Sequence, residues 1–185
     1  MYAGHLDLEA KLVWTVDDAL SSANCDAYIA KMRAGSAEVA PIVGHDGAPV
    51  IELETRNNTR MMWDDEAEAN ALLARVRGSV PERLSSLGLI GANPRLRLYR
   101  YEPGQRHAVH WDTVVELDGG VRSLLTLVFY LNDDFEGGAT DFPDLGKAIV
   151  PQRGRALLFQ HRILHEATAV TRGEKYLLRT DLLYR

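Results

Sequence analysis

A chain of 185 residues, 46% hydrophobic and 25% charged, has the length and composition of one ordinary globular domain, which excludes extensive disorder, collagen and coiled coil. Its 21 basic and 26 acidic residues (net charge -5) weigh against nucleic acid as a partner, and the single cysteine, Cys25, excludes an internal disulfide framework or a Cys-rich zinc module. No apolar run approaches the roughly 18 residues needed to span a bilayer, and Met1–Ala10 lacks the cationic start and apolar block of a signal peptide, so a cytoplasmic protein without a membrane partner is expected.

In chain order, Lys11–Val16 (KLVWTV) reads as a short strand. Asp17-Asp18 offer a helix start, and Ala19–Ala34 reads as a helix stopped by Gly35, with Leu20, Cys25, Tyr28, Ile29 and Met32 near helical spacing. Gly44-His45-Asp46-Gly47 is a turn signal, and Thr55–Arg60 is polar without periodicity. A second helix begins near Asp64-Asp65, where acidic residues suit the positive end, and carries Ala69, Leu72, Leu73, Val76 and Val80 on one stripe before Pro81. From Arg95 onward the pattern changes to short runs separated by Gly, Pro and Asp. They are Arg95–Tyr101, Arg106–Thr113, Ser123–Asn132, Ala148–Val150, Ala156–Gln160, Glu166–Thr171 and Lys175–Tyr184. Many short strands at this spacing indicate a β-sandwich or barrel, with the preceding helices buttressing one face.

His110 and Asp112 share a strand face by period two, and His165 on a distant strand offers a third ligand. Two histidines and one carboxylate on one face of an octahedron suit non-haem Fe(II) and leave three positions open. Taken alone, a His-X-Asp pair is more often solvated than a metal site, and His165 alone reads as a surface histidine near a strand start. The surroundings change that balance. Tyr101-Glu102-Pro103-Gly104-Gln105 precedes His110-Trp111-Asp112, Leu125–Asn132 and Glu136–Pro143 follow, Gly154–Phe159 leads to His165, and Gly173 and Lys175 come eight and ten residues after it.

In these motifs, over about Leu96–Tyr184, the chain resembles the prolyl-4-hydroxylase-like branch of the Fe(II)/2-oxoglutarate-dependent dioxygenases. The resemblance implies a mainly β fold, a double-stranded β-helix of jelly-roll type, buttressed by the N-terminal helices. It implies one domain, with residues 1–94 as support and 95–185 as the catalytic barrel. It further implies Fe(II) on His110, Asp112 and His165. The 2-oxoglutarate co-substrate would be held by an ion pair from Lys175 and a hydrogen bond from Tyr101. Dioxygen is then the second co-substrate, and ascorbate an accessory reductant. A dicarboxylate entering an apolar barrel needs such a cation, because a buried carboxylate is costly unpaired.

Several residues stay open. Arg179 shares a strand face with Lys175, Leu177 and Asp181, and is the rival anchor unless it pairs with Asp181 or another acid. Thr126 is read as a co-substrate contact or a sheet residue, and Tyr99 as lining the pocket or packing below it. His107 and His161 are read as exposed bystanders or as contacts behind the ligands or to the substrate, and Trp111 as packing on the far side. Residues 41–62, irregular and rich in Gly and Asn, read equally as a flap over the substrate, with Arg56, Asn58 and Arg60 as its polar contacts, or as a solvated loop or edge strand. The expected reaction is hydroxylation of an unactivated C–H bond, first of a peptidyl proline. The alternatives are a hydroxylase of a free amino acid or small metabolite, or a barrel that binds a metal or a small acid without turnover.

Overall fold

The computed structural model describes residues 6–44 and 46–185. Met1–His5, within the N-terminal stretch considered above, and His45 of the turn signal lie outside them. Within Gly44–Gly47 the described part turns as expected, the Gly47 amide donating to the Gly44 carbonyl at 3.0 Å.

The first half of the chain contributes β1 (Val13–Val16), α1 (Ser22–Ala34), β2 (Glu38–Val39), β3 (Ile42–Val43), β4 (Pro49–Val50), β5 (Thr59–Asp64), α2 (Glu66–Val76), β6 (Arg83–Leu84) and β7 (Leu87–Ala92). The second half contributes β8 (Arg95–Tyr101), β9 (His107–His110), β10 (Glu116–Leu117), β11 (Val121–Tyr130), β12 (Glu136–Gly137) and β13 (Thr140–Phe142). After these come β14 (Lys147–Ile149), β15 (Ala156–Gln160), β16 (His165–Ala167), β17 (Val170–Arg172) and β18 (Lys175–Tyr184).

Helix α1 starts three residues later than Ala19. Asp18 sits at φ 53°, so a right-handed helix cannot run back through it, and Ser21 takes the cap by accepting from the Asn24 amide at 3.2 Å. Helix α2 begins as read, with Asp65 accepting from the Glu68 amide at 2.8 Å.

The major sheet runs β1-β15-β11-β18-β8-β5-β2, and a smaller one runs β14-β13-β16-β9. This is the double-stranded β-helix. The alternation along β11 shows how it is built. Leu125, Leu127 and Phe129 face outward onto a core shared with Cys25 and Met32 of α1 and Ala69, Leu72, Leu73 and Val76 of α2. Val128 and Tyr130 face inward, into a second core with Tyr99, Tyr101, Phe142, Phe159 and Leu177 between the two sheets. Burial of each large apolar side chain contributes about 1.5–3 kcal/mol. The helices therefore brace the back of the sheet whose front carries the site.

The stretch 41–62 divides between its two readings. Residues 59–62 of the supposed flap belong to β5, which pairs with β8 from Thr59↔Arg100 to Asp64↔Arg95. Ile42–Val43 (β3) pairs antiparallel with Pro49–Val50 (β4). The N-terminal half contributes β1, β2, β5 and β7 to the major sheet.

Candidate active site

Strands β9 and β16 are antiparallel neighbours with His110 directly opposite His165, which sets the two imidazoles 4.2 Å apart between centroids. Asp112 follows the end of β9, where its amide donates to the His161 carbonyl at 2.9 Å. The ligand atoms of His110, Asp112 and His165 lie within 4.8 Å of one another.

Backbone carbonyls decide which nitrogens face the centre. Nδ1 of His110 lies 2.7 Å from the Ala108 carbonyl, and Nδ1 of His165 lies 3.0 Å from that of Ile163. A nitrogen beside a carbonyl must carry the proton, so the lone pairs reside on Nε2. Those Nε2 atoms lie 4.0 Å (His110) and 3.8 Å (His165) from the Asp112 oxygens. Burial pushes the His110 imidazole down to about 3 and lowers that of His165, which keeps both neutral and able to ligate. Burial pushes the Asp112 carboxyl up, but Arg179 and the neighbouring imidazoles outweigh it and hold the group well below the usual carboxylate range. Two neutral nitrogens and one carboxylate, oriented by outer hydrogen bonds, are the donor set that a ferrous ion takes.

Both oxygens of Asp112 are engaged. Oδ2 accepts from the Thr126 hydroxyl at 2.5 Å and Oδ1 from Nη1 of Arg179 at 2.8 Å. Arg179 also donates to Asp181 at 3.0 Å, and Asp181 in turn accepts from Arg97 at 3.2 Å. Of the two rival anchors, Arg179 is therefore the one already taken by carboxylates, and Thr126 is bound to Asp112. Lys175 is fully buried and, among the described residues, donates only to the Gly138 carbonyl, at 2.7 Å, beneath the rings of Tyr101 (5.1 Å) and Tyr130 (5.6 Å). Burial pushes its ammonium down to about 7. Burial raises the Tyr101 phenol to about 12, so its hydroxyl remains a donor.

One cavity gathers these groups. His110, His165, Lys175, Tyr101, Thr126 and Arg179 line it, with Arg56, Tyr99, His107 and Thr140. Of the flap contacts, only Arg56 reaches it. Asn58 is buried behind Arg56 and accepts its Nε at 2.9 Å, while Arg60 pairs with Glu38 across β2 and β5 at 2.9 Å, away from the cavity. His107 and His161 are not exposed bystanders. His107 stacks on His110 at 3.5 Å, and His161 lies buried 3.6 Å from Asp181. Trp111 is half exposed rather than packed, because β9 ends at His110 and the chain turns outward. Thr140 was passed over in the sequence. It lines the cavity from β13 with its hydroxyl 2.7 Å from that of Tyr130, and its position just after the Glu136-Gly137-Gly138 turn was the available signal.

Residues 96–180, which hold the three candidate ligands and Lys175, match the model of the 2OG-Fe(II) oxygenase superfamily. The chain is similar to that superfamily over just under half of its length, and the relatives it matches include prolyl 4-hydroxylases. It is 24% identical over 196 residues to Probable prolyl 4-hydroxylase 7 of Arabidopsis thaliana, covering 89% of this chain and 60% of that protein. Its fold is similar to that of the viral collagen prolyl hydroxylase from Paramecium bursaria Chlorella virus-1 in complex with 2-oxoglutarate. The TM-score there is 0.65 at 23% identity, covering 95% of this chain and 97% of that one. It is also similar to a prolyl hydroxylase in complex with a hypoxia inducible factor peptide fragment from Trichoplax adhaerens, at TM-score 0.69 and 16% identity, covering 95% and 84%. The chain spans 41 to 64% of the length of three curated prolyl hydroxylase relatives it matches. No helix among its described residues is long and apolar enough to cross a membrane.

Proposed function

We propose that this chain is an Fe(II)- and 2-oxoglutarate-dependent dioxygenase that hydroxylates a prolyl C–H bond. The observation that carries the reading is the convergence of three metal donors, two of which (His110 and His165) line a cavity shared with a buried lysine that meets no carboxylate among the described residues. In this reading His110, Asp112 and His165 hold the ferrous ion, whose chemistry couples oxidative decarboxylation of 2-oxoglutarate to hydroxylation of the substrate. Lys175 neutralises the far carboxylate of the co-substrate, with Tyr101 donating to it and Thr140 beside it. The apolar wall of Val128, Phe159 and Leu177 keeps water from the reacting centre. Thr126 and Arg179 hold Asp112 in place. Dioxygen is the second co-substrate, and ascorbate serves as reductant.

The chain is read as one domain whose catalytic part is 95–185, working in a reducing, cytoplasmic setting in keeping with a free, buried Cys25. A proline-containing partner follows from the branch and from the relatives' printed activities. The test is a screen for substrate-stimulated succinate release over proline peptides and free amino acids, with the product weighed by mass spectrometry. Succinate release tied to a gain of one oxygen on proline is expected. Iron-loaded protein that releases none with any of them would remove the assignment.

A further inference from the structure

Among the described residues, three cations line the cavity, and two of them meet no carboxylate. Arg179 is paired with Asp112 and Asp181. Lys175 and Arg56 donate only to uncharged groups. Arg56 is 8% exposed. Its Nε donates to Asn58 Oδ1 and its Nη1 to the Pro41 carbonyl at 3.3 Å, and its guanidinium lies 4.8 Å from the Tyr99 ring.

The chain places this cation against the metal ligands. Arg56 forms a backbone bridge with His107, the Ala108 amide donates to the Thr55 carbonyl at 2.8 Å, and the His107 ring stacks on His110. Arg56 therefore extends the wall that carries His110. A buried guanidinium with neutral partners alone is poorly compensated, and its planar fork matches a carboxylate. The field it adds is felt nearby, since Arg56, Arg179 and Arg97 together lower the Tyr99 phenol although burial raises it.

Counting the anions identifies what is missing. 2-Oxoglutarate brings two carboxylates; the reading above assigns the far one to Lys175, and the other would lie at the metal. Arg56 is left without a counter-charge. A peptide passing through the cavity by an internal proline would bring amide groups, which leave that charge unmet. We propose, resting on the hydroxylase reading, that Arg56 is a carboxylate subsite for the substrate. The prolyl group to be hydroxylated then carries its own free carboxylate, as the free imino acid or as the last residue of a peptide.

The test compares acids with their amides on protein loaded with Mn(II) and 2-oxoglutarate, which binds without turnover. The probes are L-proline against L-prolinamide, and an acetylated dipeptide ending in proline against its C-terminal amide. In at least one pair the acid is expected to bind about tenfold tighter. Arg56→Met should bring that ratio to about one, and Arg56→Lys should retain part of it. A ratio near one in the unaltered protein overturns the inference, as does failure of both acids to bind or a ratio that survives in Arg56→Met. So does an Arg56→Met protein whose loss falls on 2-oxoglutarate binding instead. The hydroxylase reading fails separately. Iron-loaded protein that prefers the acid yet releases no succinate would discard the reaction and keep the subsite.

Discussion

Arg179 and Asp112 form an ion pair of 2.8 Å inside the barrel, although their positions are 67 residues apart in the chain. The pair joins a metal-ligand carboxylate to a network, since Arg179 also binds Asp181, and Asp181 binds Arg97. Removing the central guanidinium leaves two buried carboxylates short of their partner, and breaking a buried pair from one side typically costs 3–5 kcal/mol. Arg179→Met is thus expected to destabilise the fold by about 3 kcal/mol, read as a fall in the urea midpoint without a change in slope. A midpoint equal to that of the unaltered protein would show that the pair contributes nothing.

Thr126 tests the other oxygen of the same carboxylate. Its hydroxyl donates to Asp112 Oδ2 at 2.5 Å and has no role in the outward-facing core. Loss of a hydrogen bond that orients a ligand commonly costs 10- to 100-fold in metal affinity. Thr126→Val keeps the shape and is expected to weaken Mn(II) binding by about tenfold, with little change in the thermal midpoint. Titration followed by electron paramagnetic resonance of free Mn(II) measures it. Unchanged affinity would mean that Arg179 alone fixes Asp112.

The sequence made the ligands legible because chemistry and spacing coincide there. His110 and Asp112 stand two apart, and His165 and Lys175 stand at fixed distances within turn-punctuated runs. Strands β8, β15 and β18 begin and end where the runs between turn signals do, and β15, buried along its whole length, reads as a nearly continuous apolar run. What stayed hidden depends on tertiary pairing. Thr59–Asp64 reads T-R-M-M-W-D, without clean alternation, and is a strand because β8 supplies its partner. Arg56 sits in a stretch with no periodicity and gains its place from a bridge to His107, 51 positions on. His107 and His161 looked incidental because nothing local marks a histidine as buried.

The stacked pair His107 and His110 separates packing from ligation. The rings are 3.5 Å apart, yet only His110 belongs to the cluster whose ligand atoms converge with Asp112 and His165. His110→Ala is expected to lower Mn(II) affinity at least about 100-fold and to abolish succinate formation, because a facial set with two donors binds weakly. His107→Phe keeps a flat ring against His110 and is expected to hold metal affinity within about threefold. The same Mn(II) titration reads both. Equal losses in the two variants would show that His107 is itself a ligand.

Lys175 gives a prediction in pH. Burial, with only the Gly138 carbonyl to receive the ammonium, pushes it down to about 7. A carboxylate brought beside it favours the charged form, so its pKa rises when 2-oxoglutarate binds. Below pH 7 the lysine is already protonated in the free protein, and its contribution to affinity is constant. Above pH 7 binding must take up a proton, and affinity is expected to fall by up to about tenfold per pH unit until the pKa of the complex is reached. Arginine at this position keeps its charge throughout that range. Lys175→Arg is therefore expected to flatten the profile above pH 7, even if the larger side chain weakens binding at every pH. Anaerobic titration of 2-oxoglutarate into Mn(II)-loaded protein between pH 6.5 and 8.5 measures both curves. A flat profile for the unaltered protein would mean that the ammonium is not the group that meets the dicarboxylate.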